Sequence, residues 1–304
     1  MRLYIVGNGF DLHHGLKTSF KDYLKYLKRH NPKTLESIQH TKYFIGNGVD
    51  IFNARDAFWT DVEGNLEFAY EDMLDDSVEY LDWNEESDAR WHRAEFDSEM
   101  KVKEIDTSFA TDSLANWIRD VDVLKAKRIV AFEQSDVFVS FNYTETLEKV
   151  YGISPERILH IHGCIIAPES LQFGNPNQTP TQVRKEAEKA YGDHEYYGMS
   201  IEPAAENYIA MAYSFSKDLN ANIPVLEAFL GNRAISEVIV MGHSYAGVDA
   251  PYYEKVLIPR FSHVNWTFFC YQNADFANAQ KYISDNELNG TTVAWGSPMT
   301  SLKV

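Results

Sequence analysis

Hydrophobic and polar positions along the chain follow two alternating patterns. Short apolar, β-branched runs that end at glycine or polar residues predict buried strands, and apolar residues three and four positions apart predict amphipathic helices. Strands are expected at residues 3–6, 136–142, 157–163, 236–242, 263–271 and 291–295, with 171–175 as a further candidate. Helices are expected at residues 144–152, 202–219, 224–232 (with Pro224 in its first turn), 249–261 and 277–286. Strands that alternate with helices predict an α/β fold with a doubly wound, mostly parallel, Rossmann-like sheet.

The stretch between the first two predicted strands is longer than one crossover helix. Residues 20–134 have a mostly helical pattern, which begins with Phe20, Tyr23 and Leu27 at helical spacing. A connection of this length exceeds what a crossover between parallel strands needs. We therefore predict a single α/β domain over residues 1–304 with a helical insertion at 20–134.

The chain is strongly acidic, with a formal net charge of -17. A surface of this sign repels phosphate backbones, so nucleic acid is disfavoured as a partner. Residues 61–106 alone carry 17 acidic and 4 basic side chains. We interpret this segment as a solvated helical face rather than a site for a basic partner, although the sequence does not define its role.

Composition and cysteine usage predict a cytoplasmic protein. No uninterrupted apolar run reaches about 18 residues, so no membrane-spanning helix is expected, and the N-terminus lacks the apolar core of a secretory signal. With 44% hydrophobic residues the chain can bury a core. Cys164 and Cys270 are the only cysteines and are interpreted as buried free thiols, so a Cys₄ zinc site is excluded.

The first predicted strand ends at a glycine turn, residues 7–11 (Gly-Asn-Gly-Phe-Asp). Glycine lets the backbone bend sharply and approach a ligand closely, and backbone N–H groups at such a turn can hold a phosphate. As a dinucleotide fingerprint the turn is incomplete, because Leu12 stands where G-x-G-x-x-G has its last glycine. A phosphate-binding turn and a strand that simply turns both remain open.

Other predicted strands also end in polar residues, and ligands of an open α/β sheet bind beyond the carboxyl ends of its strands. Asn142 follows the second strand, residues 162–163 end the third, and residues 242–244 follow the fourth. One interpretation of Asn142 is structural, since Asn142 or Thr144 could be the N-cap of the next helix. The other is functional: a side-chain amide held on the sheet edge that binds a sugar hydroxyl or orients a water.

Two histidines occupy alternate positions of the third predicted strand. Alternation places the side chains of His160 and His162 on the same face. As a metal pair they lack a third ligand, so no metal is expected. We predict that His162, beside Gly163 at the strand end, is exposed in the crevice, where an imidazole suits general-base work. His160 is interpreted as a hydrogen-bonded structural histidine.

The turn after the fourth strand, residues 242–246 (Gly-His-Ser-Tyr-Ala), is similar to the nucleophile elbow of a hydrolase. The pattern G-x-S-x-G fails at Ala246, and the acid and base that follow, Asp249 and His263, come too soon for the usual strand order. A serine hydrolase is therefore disfavoured. As a nucleotide site, the same turn would offer backbone N–H groups and the Ser244 hydroxyl to a phosphate or ribose.

Five motifs in the chain together resemble one protein family. In chain order they are LYIVGNGFDLHHGLKTSFKDYL, FWTDVEGNLEF, VSFNYTETLE, HIHG and VIVMGHSYAGVDAPYY. They resemble the bacteriophage abortive infection AbiH family over nearly the whole chain, and that family is similar in turn to the Sir2-like NAD-binding fold. The resemblance implies a role in anti-phage defence and a single Sir2-like domain.

The resemblance also implies functional residues. In Sir2-like NAD hydrolases an early strand–glycine turn binds the cofactor's phosphates, and an asparagine after a central strand forms the catalytic pair with a histidine in an H-G dipeptide. Carried over by motif, the catalytic pair would be Asn142 and His162. The residues that would bind NAD lie in the two glycine turns: Gly7, Asn8, Gly9, Phe10, Asp11, Gly242, His243 and Ser244.

Two departures from the Sir2-like pattern change what the resemblance implies. Protein-deacylating sirtuins resemble one another in a Cys₄ zinc module, and a chain with two cysteines cannot form one, so deacylation is disfavoured. The opening GNGFD stands where many Sir2-type sites carry G-A-G. Asn8 is bulkier and more polar than alanine, which alters the expected pose of the cofactor.

The resulting hypothesis is an NAD⁺ glycohydrolase of anti-phage defence, with NAD as substrate or ligand and no metal. His162 would act as base on a ribose hydroxyl or water, and Asn142 would orient the ribose or the water. A phage-derived trigger and a homo-oligomer are compatible with it, and the sequence identifies neither. The alternative is a non-catalytic NAD- or ADP-ribose-binding sensor or interaction module. A nuclease or RNA-targeting toxin is disfavoured by the charge and by the lack of a recognisable carboxylate cluster for a metal.

Overall fold

The computed structural model describes residues 1–40, 63, 107–176, 185 and 214–295. Most of the predicted insertion, the acidic segment 61–106 apart from residue 63, and most of the predicted helix at 202–219 lie outside these residues. The chain forms two compact units. The first consists of Met1–Ser19, Ala115–Leu171 and Leu219–Val304, and the second of Phe20–Leu114 and Gln172–Asp218. The prediction of one domain with an insertion at 20–134 stays a prediction.

The first unit is built on a parallel six-stranded sheet. Its strands are β1 Arg2–Val6, β2 Val137–Ser140, β3 Ile158–His160, β4 Glu237–Met241, β5 Asn265–Cys270 and β6 Gly290–Ala294. The strand order is β3-β2-β1-β4-β5-β6, and every neighbouring pair is parallel. The predicted doubly wound, Rossmann-like α/β sheet is therefore confirmed, with the reversal of strand order between β1 and β4.

Alternating side chains of each strand feed two separate hydrophobic cores. Leu3 and Ile5 of β1 pack into one core, and Tyr4 and Val6 pack into the other. Because successive side chains of a strand point to opposite faces, the two cores lie on opposite faces of the sheet. A strand buried on both faces reads as a continuous apolar run, which is why Leu3–Val6 could be recognised from the sequence.

Helices of the first unit cover both faces of this sheet. The described α-helices are α1 Asn8–His13, α2 Phe20–His30, α3 Pro32–His40, α4 Asp112–Arg119, α5 Thr146–Tyr151, α6 Leu219–Leu230, α7 Ala250–Tyr252 and α8 Asn273–Asp285. Helix α7 continues through a π-helical turn, Tyr253–Leu257, into Ile258–Phe261. Side chains of α1 and α5 pack with Tyr4 and Val6. Side chains of α6, α7 and α8 pack in the other core, with Leu3 and Ile5.

Three predicted elements differ from the structure. The candidate strand 171–175 makes only an isolated bridge from Asn175 to Ser216, and Gly174 adopts a φ of +132°, outside strand geometry. Pro224 lies inside α6 rather than in its first turn, because the helix already begins at Leu219. The helical pattern predicted up to residue 134 ends at Lys125. Beyond it, Val130 and Phe132 pack against the sheet in non-helical backbone, so tertiary packing overrides the local pattern.

In the second unit, described residues far apart in sequence are joined by buried polar contacts. Tyr23 of α2 donates a hydrogen bond to the carbonyl of Phe109 at 2.5 Å. Lys217 Nζ and Glu63 Oε2 form an ion pair of 2.9 Å whose side chains are only 2% and 6% exposed. Buried ion pairs are sensitive to substitution, and the loss of one partner typically costs about 3–5 kcal/mol.

None of the helices in the described part of the chain has the length and apolar character needed to cross a bilayer.

Candidate functional site

The bends that follow β1 and β4 lie side by side at the carboxyl edge of the sheet. β1 pairs with β4 from Arg2 opposite Glu237 to Val6 opposite Met241, so both strands end at the same level. The strand order reverses at this position, which is where open α/β sheets bind ligands. The sequence predicted the candidate site at this same edge, and its role as a site stays a prediction.

Three glycines let these two bends touch. A Cβ on Gly7 would lie 2.7 Å from the Gly242 carbonyl oxygen and from the His243 ring, and one on Gly9 would lie 2.7 Å from Gly242 Cα. Gly242 has a φ of +64°, and its Cβ would lie 2.2 Å from the backbone nitrogen of Phe10. The glycines thus have a packing reason of their own, apart from any ligand.

Most backbone N–H groups of the first bend donate hydrogen bonds to carbonyls within the protein. The N–H of Gly7 donates to the Met241 carbonyl (3.1 Å), that of Gly9 to the Gly242 carbonyl (2.8 Å), and that of Phe10 to the Gly7 carbonyl (2.8 Å). The Phe10 side chain is fully buried in the core. Phosphate binding by this turn stays a prediction, and within residues 7–10 it would rest on Asn8, which is partly exposed.

Asn142 lies against the first bend. Its Nδ2 donates a 3.0 Å hydrogen bond to the Gly7 carbonyl, and its side-chain oxygen Oδ1 is buried with no hydrogen-bond partner among the described residues. Helix α5 begins at Thr146 with Glu145 at its N-cap position, where no side chain caps it. The capping interpretation of Asn142 and Thr144 is therefore wrong, because the helix starts later than the sequence suggested.

Asp11 is the second buried acceptor at this bend. Its side chain is 1% exposed; Oδ2 accepts a 2.5 Å hydrogen bond from the Thr144 hydroxyl, while Oδ1 has no partner within the described chain. Burial raises the pKa of Asp11 to about 6, against the opposing effects of the Thr144 and Thr146 hydroxyls. We call Asn142, Asp11 and Thr144 the amide–carboxylate cluster.

His162 lies in a different group of side chains. It is 2% exposed, and its Nε2 lies 3.2 Å from the Tyr252 hydroxyl and 3.5 Å from Asp249 Oδ1. The Asn222 amide also donates to the Tyr252 hydroxyl at 3.0 Å. His162 was expected to be exposed in the crevice and is instead buried, because α6, α7 and the turn that precedes α7 supply these partners.

The same aspartate also contacts the second bend. His243 Nε2 donates to Asp249 Oδ2 at 3.2 Å, and His243 Nδ1 accepts from the Tyr253 hydroxyl at 2.8 Å. A single buried carboxylate thus faces two imidazoles, those of His162 and His243. We call His162, His243, Asp249, Tyr252 and Tyr253 the imidazole cluster.

Gly7 is the point where the two clusters meet. Its carbonyl accepts from Asn142, and the position of its absent Cβ is in contact with the His243 ring. In the described residues no hydrogen bond joins Asn142 to His162. Their predicted joint role as a catalytic pair stays a prediction.

His160 and His162 do not share a face. Strand β3 ends at His160, where the Gly163 N–H donates back to the His160 carbonyl, so the alternation stops there. His160 contacts Glu148 of α5, whereas His162 contacts Tyr252 of α7 on the other side of the sheet. Burial opposes the charge of His160, but the neighbouring Cys164 and Glu148 outweigh it and raise the pKa of His160 to about 10.

The turn after β4 does not form a hydrolase triad. Ser244 is exposed beyond the carboxyl end of β4, while His263 precedes the amino end of β5. Since β4 and β5 are parallel, these two residues lie at opposite edges of the sheet. The disfavoured serine-hydrolase alternative therefore lacks its base.

Sequence reasoning missed several partners of the candidate residues. Asp249 was weighed only as a hydrolase acid, and Tyr252, Asn222 and Glu148 were not considered. One signal was available: Asp249 and Tyr252 lie three positions apart in a predicted helix that follows a strand end, so they share a helix face near the crevice. The contacts of Asn222 and Glu148 depend on tertiary structure and had no local signal.

Comparison with known proteins places the chain in a family. The family model described as "Bacteriophage abortive infection AbiH" matches residues 3–270, which contain both glycine bends and both polar clusters. Searches of curated proteins and of solved structures gave no significant match. The family match covers well over half of the sequence. The chain therefore belongs to the bacteriophage abortive infection AbiH family.

Proposed function

We propose that this AbiH-family protein is an NAD⁺ glycohydrolase that releases nicotinamide from NAD during anti-phage defence. Family membership assigns the chain to abortive infection, and depletion of NAD would stop an infected cell. The reaction would cleave the bond between nicotinamide and ribose through a transition state with oxocarbenium character, as in glycoside cleavage.

The observation that carries the proposal is the pair of unsatisfied acceptors at the first bend. Asn142 Oδ1 and Asp11 Oδ1 are buried and accept no hydrogen bond from a described residue. An unpaired buried acceptor costs about 1–3 kcal/mol, so this cluster favours a ligand that brings O–H or N–H donors. Ribose hydroxyls are such donors, whereas ionised phosphate oxygens only accept.

The charge of Asp11 suits the proposed transition state. A carboxylate in a water-poor site stabilises positive charge that develops on a bound ribose. Since burial raises the pKa of Asp11 to about 6, the side chain is mostly ionised above pH 7 and mostly neutral below pH 5. Activity that depends on this charge would rise as the pH passes through about 6.

The imidazole cluster would supply the base. His162 would accept a proton from the attacking water or from a ribose hydroxyl, and Asp249, 3.5 Å from its Nε2, would stabilise the resulting imidazolium. Asn142 would hold the ribose or orient the water. The glycine bends would fix the relative positions of these groups. Such positioning accounts for a large part of enzymatic rate enhancement.

The test is release of nicotinamide by purified protein incubated with NAD, with and without lysate of phage-infected cells as the trigger. Wild type should release nicotinamide under at least one condition, and Asn142→Ala should release at least about a hundredfold less. Asn220→Ala, an exposed asparagine of α6, is the matched control and should behave as wild type. No release in either condition, with wild type equal to Asn142→Ala, would refute the hydrolase.

A nucleotide-binding sensor without turnover is the second candidate. The observation that favours it is that the two predicted catalytic side chains contact different groups. Asn142 donates to the Gly7 carbonyl, whereas His162 contacts Tyr252 and Asp249. Calorimetric titration separates the candidates: binding of NAD or ADP-ribose without nicotinamide release supports the sensor.

A further inference from the structure

Three side chains that commonly bind metals meet beside β3, outside both polar clusters. Glu148 lies in α5, His160 is the last residue of β3, and Cys164 follows the next turn. One ligand atom from each residue lies within 4.8 Å of the other two. All three residues belong to the first compact unit, and all are buried or half-buried.

The turn between His160 and Cys164 has a conformation that requires glycine. Gly163 adopts a φ of +82°, and a Cβ there would lie 2.2 Å from the Ser170 carbonyl oxygen. Its N–H donates to the His160 carbonyl at 3.2 Å, which closes the turn and returns Cys164 to the side of His160. The position of the thiol beside the imidazole is therefore set by the backbone.

The imidazole of His160 is oriented as in many metal sites. Nδ1 donates to the Asn142 carbonyl at 3.0 Å, and Nε2 faces Glu148 Oε1 at 2.8 Å. Metal-bound histidines commonly donate their other ring N–H to a carbonyl in this way. The second carboxylate oxygen, Glu148 Oε2, is buried and has no partner among the described residues.

We propose that Glu148, His160 and Cys164 bind a divalent transition-metal ion of the zinc type. Zn²⁺ takes carboxylate, imidazole and thiolate ligands, and a site with three protein ligands leaves a fourth position for water or substrate. Tetrahedral zinc with bonds of about 2.0–2.3 Å places its ligand atoms roughly 3.5 Å apart, so small side-chain rotations suffice. Thiolate and imidazole disfavour Mg²⁺ and Ca²⁺.

The ion would connect elements that carry the candidate site. It would join α5 to the turn after β3 and hold His160 against the carbonyl of Asn142. The expectation of no metal paired His160 with His162, because the sequence could not show that the chain turns back at Gly163. This inference does not depend on NAD hydrolysis and has its own readout.

Cobalt substitution tests the site directly, since Co²⁺ bound by a thiolate gives a charge-transfer band in the near ultraviolet. Tag-free protein is stripped with a chelator, dialysed and titrated with Co²⁺, and Zn²⁺ is then added. One Co²⁺ per chain should bind with the thiolate band, and Zn²⁺ but not Mg²⁺ should displace it. A folded wild-type protein that gives no such band would overturn the proposal.

Matched cysteine variants identify the ligand. Cys164→Ser should lose the thiolate band, whereas Cys270→Ser, which changes the other buried cysteine in β5, should keep it. A band that persists in Cys164→Ser, or that disappears in a folded Cys270→Ser, would place the metal elsewhere and overturn the assignment.

Circular dichroism shows whether Cys164→Ser is folded. If it is not, Glu148→Gln provides a second test of the site. This variant keeps the shape of the side chain and the thiolate. Its Zn²⁺ affinity should fall by more than the roughly 10–100-fold lost when a residue that only orients a ligand is removed. Unchanged Zn²⁺ affinity in folded Glu148→Gln would contradict the three-residue site.

Discussion

The two buried polar clusters at the carboxyl edge differ in how completely they are hydrogen-bonded. In the amide–carboxylate cluster, Asn142 and Asp11 each keep one oxygen without a donor among the described residues. In the imidazole cluster, both carboxylate oxygens of Asp249 face a histidine, and both ring nitrogens of His243 have partners. The first cluster thus keeps two acceptors without a donor from the described chain, whereas the named atoms of the second all have a polar partner.

This difference suggests a division of roles. A fully bonded group of buried polar side chains is held in one geometry, which suits residues that position or receive a proton. A group with unsatisfied acceptors gains most when a donor arrives, which suits ligand binding. The clusters meet at Gly7, so a change at that bend should affect both, and a change within one should leave the other intact.

The largest effect is expected where the two bends touch. Gly242→Ala places a methyl group 2.2 Å from the backbone nitrogen of Phe10 at a φ of +64°, so the two bends cannot pack. The free energy of unfolding should fall by more than about 4 kcal/mol, measured by chemical denaturation. Gly15→Ala is the control: it has a φ of +80° with open space around it, and only the backbone penalty of about 1–2 kcal/mol applies. Equal losses in both variants would contradict the close contact.

The next effect separates binding from folding in the amide–carboxylate cluster. Asn142→Ala should lower nicotinamide release by about 10²–10³-fold, the usual cost of losing one donor or acceptor at a developing charge. Its stability should fall by only about 1 kcal/mol, the hydrogen bond to Gly7. Parallel assays of turnover and of urea denaturation measure both. If the loss of nicotinamide release is fully explained by the fraction of Asn142→Ala protein that is unfolded, the role of Asn142 is purely structural.

The third effect concerns the pH dependence of stability. Burial raises the pKa of Asp11 from its ordinary value of 3.8 to about 6, so the folded protein holds this proton more tightly than the unfolded chain. Through this group the free energy of unfolding decreases as the pH rises from about 4 to about 6, by about 3 kcal/mol in total.

Asp11→Asn should lack that decrease. Urea denaturation at a series of pH values, with the exposed Asp120→Asn as the control, measures the difference. Wild type and Asp11→Asn with parallel pH profiles would show that Asp11 is not buried as described.

The smallest effect tests the imidazole cluster. Tyr253→Phe removes the donor to His243 Nδ1 and should lower the free energy of unfolding by about 1 kcal/mol. Binding of ADP-ribose should be unchanged, because Tyr253 belongs to the other cluster. The exposed Tyr271→Phe is the matched control. If Tyr253→Phe loses ADP-ribose binding and Tyr271→Phe does not, the proposed division of roles between the two clusters is wrong.

The sheet could be predicted from sequence because its strands carry local signals. Leu3 to Val6 form an apolar run buried on both faces, and glycine bends end both β1 and β4. The helical pattern predicted after α4 was wrong, because Val130 and Phe132 are partly buried against the core in non-helical backbone. Hydrophobic periodicity predicts well which residues are buried. It predicts backbone conformation less well where tertiary contacts determine that conformation.

The candidate site was only partly predictable. The positions of Asn142 and Gly7 follow from strand ends, which are local features. The partners of the histidines do not: the alternation of β3 was extended beyond its true end at His160, and Asp249 reaches His162 only through the packing of α7 on the sheet. Likewise, Cys164 reaches His160 through the glycine turn at Gly163.

The most direct test of the central claim is a crystal structure of the protein with ADP-ribose bound. The account predicts a ribose hydroxyl within roughly 3.2 Å of Asn142 Oδ1 or Asp11 Oδ1, beside the Gly7 bend. Ordered water can also satisfy buried acceptors. A structure in which water keeps these two oxygens while ADP-ribose binds elsewhere, or does not bind at saturating concentration, would contradict the account.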